Sequence, residues 1–233
     1  FMNYHTNHTA QYLHIELLEE HDVLSSSVLN GGLCQPRHLL NFKVDENVLG
    51  QKDDFESPHA SLQRFADEQS WDGKTVAMMT SASMGSYRFC RREADGIYID
   101  IHLTAGLSNA RRAGDRAEYR QIGELPQENG TINTIILTNA ALTQAALCEA
   151  LVIATEAKAA CLQDNNILSL VSAKTATGTG TDSICVGGLC SGKKVEFCGK
   201  HTLFGELLAD GLMAALTSAI NWKFSASSWR QEL

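Results

Sequence analysis

The chain is short of positive charge. Lys and Arg number 19 against 27 Asp and Glu in 233 residues, a formal net charge of −8. That balance opposes a nucleic-acid partner, because phosphate binding is carried by Lys and Arg. It also opposes adhesion to an anionic membrane surface. No apolar run reaches the length expected of a bilayer span, and the first residues, Phe1 to His5, lack the basic-then-apolar pattern of a leader. Proline is scarce at 3 residues, and no Pro/Gly/Ser-rich linker, internal repeat or low-complexity tract divides the chain, so residues 1–233 are expected to form a single domain. The chain also lacks paired Cys-x-x-Cys clips. Its 7 cysteines are an odd number and several lie inside apolar runs, which reads as reduced thiols in a cytosol-like compartment rather than a disulfide framework. Cys185, Cys190 and Cys198 have neither the spacing nor the histidine partners of structural zinc and are expected to behave as small hydrophobes.

What is present is a globular composition, 44% hydrophobic and 20% charged, long enough to bury a sizeable core. Leu13 to Val28 reads as extended chain leading into the turn Leu29-Asn30-Gly31-Gly32, and Arg37 to Val44 as a further short strand. Ser57-Pro58 supplies an N-cap and a first-turn proline for a helix to about Gln69. Thr75 to Ala82 is a continuous apolar strand, and Tyr87–Arg91 with Ile97–Ala105 form a hairpin about Ala94-Asp95-Gly96. Thr131 to Thr138 is a strand. Asn139 is placed to cap a long alanine-rich helix from Ala140 to about Leu162, with Leu142, Ala146, Ala150, Ile153, Ala157 and Cys161 on one face. Ser169–Ala173, Ser183–Val186 and Lys194–Phe197 are strand candidates, and a last helix runs from His201 or Thr202 to about Asn221. Strands alternating with long helices predict an α/β fold with a mixed β-sheet.

The chemistry-bearing stretch is Ala176-Thr177-Gly178-Thr179-Gly180-Thr181-Asp182-Ser183, which sets glycine, hydroxyl and carboxylate directly before a buried strand. Glycine is costly to order, so such a loop is expected to present hydrogen-bonding groups to a ligand. It is not a dinucleotide fingerprint, since the third glycine is missing and a strand follows in place of a helix. Gly187 to Lys194 comes close to a phosphate-binding loop but carries Lys194 where a magnesium-binding hydroxyl belongs; a hairpin turn is expected there. Glu149 and Glu156 share a side of their helix and read as solvated boundary carboxylates. His201 opens the last helix, where the N-terminal dipole favours a neutral imidazole. No Gly-x-Ser-x-Gly elbow or Cys–His nucleophile pattern is present.

Several blocks, taken together and in order, resemble the adenosylcobinamide amidohydrolase family. They are Thr104 to Ala110 with Ala113-Gly114-Asp115, Gly130 to Thr134, Glu156 to Ala160, Ala176 to Asp182, and Gly199-Lys200-His201-Thr202. The span runs from about Leu29 to Leu216, with Phe204-Gly205-Glu206-Leu207 a mild departure from the family's usual helix entry. The resemblance implies hydrolysis of the amide joining the aminopropanol arm to the corrin ring of adenosylcobinamide, giving adenosylcobyric acid in corrinoid salvage. Cobalt would arrive with the substrate, so no resident cofactor or metal is implied. The alternative is a corrinoid-binding protein without turnover. A corrinoid is an apolar disc edged with carboxamides, and Asn30, Asn109, Asn133, Thr177, Thr179 and Thr181 would face that edge, with Gly31, Gly32, Gly178 and Gly180 admitting close backbone approach. For catalysis the expectation is His201 or a nearby carboxylate as base, Asp182 orienting His201, and the backbone amides of Gly178 to Thr181 serving the oxyanion, with Glu156 as the alternative base. The oligomeric state is left open, a homodimer included.

Overall fold

Strand β8 (Ile97–Ala105) alternates Ile99, Ile101, Leu103 and Ala105 with Asp100, His102 and Thr104, and both sets are buried. A strand of this kind needs a cover on each face, because successive side chains point to opposite sides of a sheet. The computed structural model, which describes residues 3–44, 57–119, 122 and 131–228, supplies both covers.

The first sheet is four-stranded, in the order β1 (Tyr4–His8), β2 (Tyr12–Leu17), β5 (His38–Lys43), β6 (Thr75–Thr80). The second is six-stranded, in the order β4 (Gly32–Cys34), β3 (His21–Ser25), β12 (Ser183–Val195), β10 (Ile132–Leu142), β8, β7 (Arg88–Ala94). The sheets pack face to face through Leu13, Ile15, Val76, Met78, Ile135, Leu137 and Cys185. Helix α1 (Pro58–Glu68) covers the outer face of the first sheet with Leu62 on Leu40 and Ala77. Helices α2 (Gln144–Asp164) and α3 (Leu203–Ser228) cover the outer face of the second, Ala150, Ile153, Leu208 and Leu212 meeting Ile101, Ile136 and Val186. The α/β class with mixed sheets is therefore observed. The longer strands divide between two sheets, and each parallel pair, β5–β6 and β10–β12, brackets a helix in sequence.

Ser57 caps α1 as expected, accepting the Ala60 amide at 3.2 Å. The β7–β8 hairpin turns on Asp95 and Gly96, both at positive φ (52° and 72°). Other expectations are corrected. Asn139 does not begin a helix: β10 runs on to Leu142, because Ala140 to Leu142 pair with Lys193 to Val195 of β12 after a bulge. The Asn139 side chain instead holds the hairpin, donating to the Gly96 carbonyl and accepting the Tyr98 amide. Thr143 is the true cap of α2, accepting from the Ala146 amide at 3.1 Å. The stretch 187–194 is no turn but the middle of β12, and its glycines serve close packing. A Cβ on Gly192 would lie 2.0 Å from the Asn139 carbonyl oxygen at the bulge. Residues 169–173 form turns, not a strand. Residues Leu203–Trp222 of α3 are long and apolar enough to cross a membrane by composition, contrary to expectation, and half of that stretch is buried within the protein.

The polar residues of β8 face the first sheet and are matched there. Tyr4 donates to Asp100 at 2.6 Å, and Arg91 grips both oxygens of the same carboxylate. Since the Tyr4 proton is spent on Asp100, His102 Nε2 donates to the Tyr4 oxygen and His102 Nδ1 accepts from Tyr87. Burial pushes the His102 imidazole down to about 4, with Arg91 assisting and Asp100 opposing. Farther along, Asn41 donates to Thr104 and accepts from Asn133.

Two outcomes are expected. Gly192→Ala should destabilise the fold by about 1–3 kcal/mol through overpacking against backbone, read as a lower urea midpoint. His102 is neutral when folded, with its pKa lowered from 6.5 to about 4. The unfolded chain therefore binds the extra proton first as pH falls, and unfolding free energy should decline from about pH 6.5 to 4. His102→Asn should shallow that decline in a pH series of urea melts.

Candidate functional site

Lys158 lies within the buried face of α2, beside Ala154, Ala157, Cys161 and Leu162. An ammonium cannot remain in such surroundings without a partner. Asp182 provides it: Lys158 Nζ donates to Asp182 Oδ2 at 2.5 Å, the two side chains being only 9% and 10% exposed. The carboxylate has three further donors, Thr179 N on Oδ2 (3.0 Å) and Ile132 N and Thr179 Oγ1 on Oδ1 (2.9 and 2.5 Å). Four donors fill the acceptor capacity of an ionised carboxyl group.

This hub shapes the glycine–threonine loop. Residues Gly178–Thr179 form a short strand, β11, against β9 (Ala110–Arg111), at the exit of β8. Thr177 is held from both sides, its amide on the Arg111 carbonyl and its hydroxyl accepting the Ala113 amide. Thr131 donates to the Thr181 carbonyl at 2.8 Å. Gly178 has no alternative residue: a Cβ there would fall 2.3 Å from Asp182 Oδ2 and 3.1 Å from Lys158 Nζ. Asp115, at the end of the neighbouring turn, accepts from the Ser169 hydroxyl and the Arg112 amide, and these bonds hold its carboxyl down to about 2.

Of the residues singled out from sequence, Asn109, Thr177, Gly178, Thr179, Gly180, Thr181 and Asp182 come together here, where β9 meets β11. Thr177, Thr179, Thr181 and Asn109 are half-buried and Gly180 is exposed. Asn133 is adjacent in sequence to the hub but points between the sheets, 1% exposed, its amide hydrogens spent on Asn41 and the Met79 carbonyl. Asn30 belongs elsewhere. Its Nδ2 donates to the Thr75 carbonyl, and with Gln63, Asp67, Trp71 and Lys74 it lines a cavity of about 290 Å³ between α1 and β6. Gly31 packs against the Ser27 carbonyl, and Gly32 sits at φ 93° in the same turn.

Glu156 and His201 form a separate group. Glu156 pairs with Lys200, while Glu149 accepts the Cys198 amide at 2.6 Å, so these carboxylates tie down the loop before α3 and are not merely solvated. His201 is exposed, and Thr202 is the residue that caps α3, accepting the Gly205 amide. Residues 156 and 158 are two apart on α2 and so point to nearly opposite sides of it, at about 100° per residue. The structure thus sets Asp182 beside Lys158 on one side of α2 and the His201 loop beside Glu156 on the other. The expected Asp182–His201 pairing is not formed, because Asp182 is fully engaged with Lys158, Thr179 and Ile132.

Lys158 is the participant that sequence reasoning passed over. Its signal is visible in retrospect: a lysine one position from Ala157 and three from Cys161, inside the stripe where a charge is rarely buried unpaired. Among the described residues, no group of three or more His, Cys, Asp or Glu side chains is arranged to hold a metal ion. All 7 cysteines are free thiols.

Residues 2–227 match the family described as adenosylcobinamide amidohydrolase. The chain belongs to that family. An uncharacterized protein of Methanocaldococcus jannaschii is 36% identical over 158 residues, which cover 61% of this chain and 61% of that one; the match thus spans less than two thirds of that relative. A Methanosarcina mazei protein named adenosylcobinamide amidohydrolase is 24% identical over 204 residues, covering 84% of this chain and 88% of its own length.

Removing one member of a buried ion pair strands the other, at a cost of about 3–5 kcal/mol, whereas an exposed pair contributes about 0–1 kcal/mol. Lys158→Ala should therefore lower the urea midpoint far more than Lys200→Ala, which only unties Glu156. Equal effects of the two substitutions would contradict the burial described here.

Proposed function

We propose that this member of the adenosylcobinamide amidohydrolase family hydrolyses the amide between the aminopropanol arm and the corrin ring of adenosylcobinamide, releasing adenosylcobyric acid and aminopropanol as a step of corrinoid salvage. The observation that carries the reading is the family match over residues 2–227. The loop 177–182 is the part of the molecule best equipped for it. Amide hydrolysis needs a proton acceptor close to the attacking oxygen, and the leaving amine needs a proton in return. Asp182 fits both duties, being held in position by two backbone amides and a buried ammonium. Around it Asn109, Thr177, Thr179 and Thr181 offer both donors and acceptors to a carboxamide-edged disc, and exposed Gly180 leaves room for the approach.

In this reading cobalt enters as part of the corrinoid, and the small-molecule substrate is the partner. The negative net charge is no obstacle to a ligand recognised through carboxamides. The seven free thiols support a reducing, cytosol-like compartment. A second arrangement, with Glu156 or His201 as the base, is favoured by one observation: the Glu156–Lys200 pair ties α2 to the loop that carries His201, and the two residues lie in two of the sequence blocks that resemble the family.

The test is direct. Purified protein incubated with adenosylcobinamide should release free aminopropanol, and Asp182→Asn should lower kcat by about 10²–10⁴-fold, the usual worth of a general base. If Asp182→Asn stays active while His201→Ala or Glu156→Gln is silent, the centre lies on the other side of α2. Tight binding of the corrinoid without release would make the protein a carrier.

A further inference from the structure

We propose that Thr179 is the nucleophile of this hydrolysis and that the reaction passes through an ester of its hydroxyl. The inference rests on the reading of the protein as an amide hydrolase. Nothing in the sequence pattern pointed to covalent catalysis; the juxtaposition of Thr179, Asp182 and Lys158 does. Thr179 Oγ1 donates to Asp182 Oδ1 at 2.5 Å, and Lys158 Nζ holds Oδ2 at 2.5 Å. Nucleophile, base and a third group that orients the base thus stand in line, as nucleophilic catalysis requires.

Access decides which group attacks. The Lys158 and Asp182 side chains are about nine-tenths buried, whereas Thr179 is half-buried and is followed by exposed Gly180. Occupancy decides it too. Every acceptor position of Asp182 is filled, by two backbone amides, the ammonium and the Thr179 hydroxyl. A free water or an imidazole would have to displace one of these before using the carboxylate. The backbone amides cannot leave without unmaking the loop, and the ammonium is buried. The hydroxyl alone can surrender its proton where it stands.

In the first half, Thr179 Oγ1 bonds to the amide carbon as its proton passes to Asp182 Oδ1. The carbon–nitrogen bond then breaks, and the proton moves from Asp182 to the nitrogen, which leaves as aminopropanol. The corrinoid acyl group remains as an ester on Thr179. In the second half, water adds to the ester carbon while giving a proton to Asp182, the carbon–Oγ1 bond breaks, and that proton returns to Oγ1. One water is consumed, one acid and one amine are formed, and Lys158 stays charged throughout.

The experiment uses the full chain with adenosylcobinamide, following aminopropanol release, corrinoid affinity and acid-quenched mass spectra. Thr179→Ala should lower kcat by roughly a thousandfold or more, as loss of a nucleophile does, with corrinoid affinity changed only a few-fold. Thr179→Ser, which restores the hydroxyl, should recover activity to within about tenfold of the original, a margin set by the same kinetic reasoning. The wild type or the serine variant should carry the corrinoid acyl group on the peptide containing residue 179. Activity of Thr179→Ala within tenfold of wild type overturns the proposal. So does equal loss in the alanine and serine variants without an adduct, which would leave Thr179 as a loop-shaping residue. Absence of aminopropanol release from the wild type is a separate result, and it defeats the functional reading itself.

Discussion

A lysine on the buried face of α2 must find a partner for its charge, and Asp182 is that partner. That one pairing connects three parts of the molecule that sequence keeps apart. It fastens α2 to the loop ahead of β12, and through the Ile132 amide it fixes the start of β10. The same carboxylate folds residues 178–182 back on themselves. Buried ion pairs seldom add much net stability over an apolar replacement, since desolvation offsets the attraction. Their retention is better understood as fixing geometry, and here the geometry fixed is that of a hydroxyl flanked by two glycines.

The α/β class, the capped first helix and the central hairpin could be read from the residues, because each rests on a signal within the sequence: strands alternating with long helices, a Ser-Pro start, an Asp-Gly turn. The readings that failed were those in which partners distant in sequence overrule local preference. Ala140 to Leu142 are good helix formers, yet they pair with a strand some fifty residues on. The glycines of 187–192 suggested a turn, and instead let two strands approach at a bulge. At the candidate site, the residues contributed by one contiguous loop were legible together. Lys158 was not, since the meaning of a charge in an apolar stripe depends on what faces it. Asn30 and Asn133 resemble rim residues by type, but an asparagine type alone does not say whether its amide is already spent on a neighbour.

Helix α2 divides the candidate chemistry. On one side lies the enclosed trio of Thr179, Asp182 and Lys158; on the other, solvent-facing Glu156, Lys200 and His201. Exposed ion pairs are screened and contribute little, so the second group depends on the loop that carries it. The first is held by backbone amides that belong to the sheet. For a reaction that demands fixed distances, the enclosed side has the advantage of a rigid support.

The position of β12 has a bearing on how the chain is made. This strand lies between β3 and β10, with Ser25 beside Cys185 and Asn133 beside Ser183. Until it leaves the ribosome the larger sheet exists only as two fragments, each ending in an unpaired edge. Such edges are templates for wrong pairing, and contacts this distant in sequence close slowly. The growing polypeptide must therefore keep both halves apart and soluble from the completion of β10 until β12 follows. The glycine–threonine loop, tied to the start of β12, takes its form only when that strand is in place.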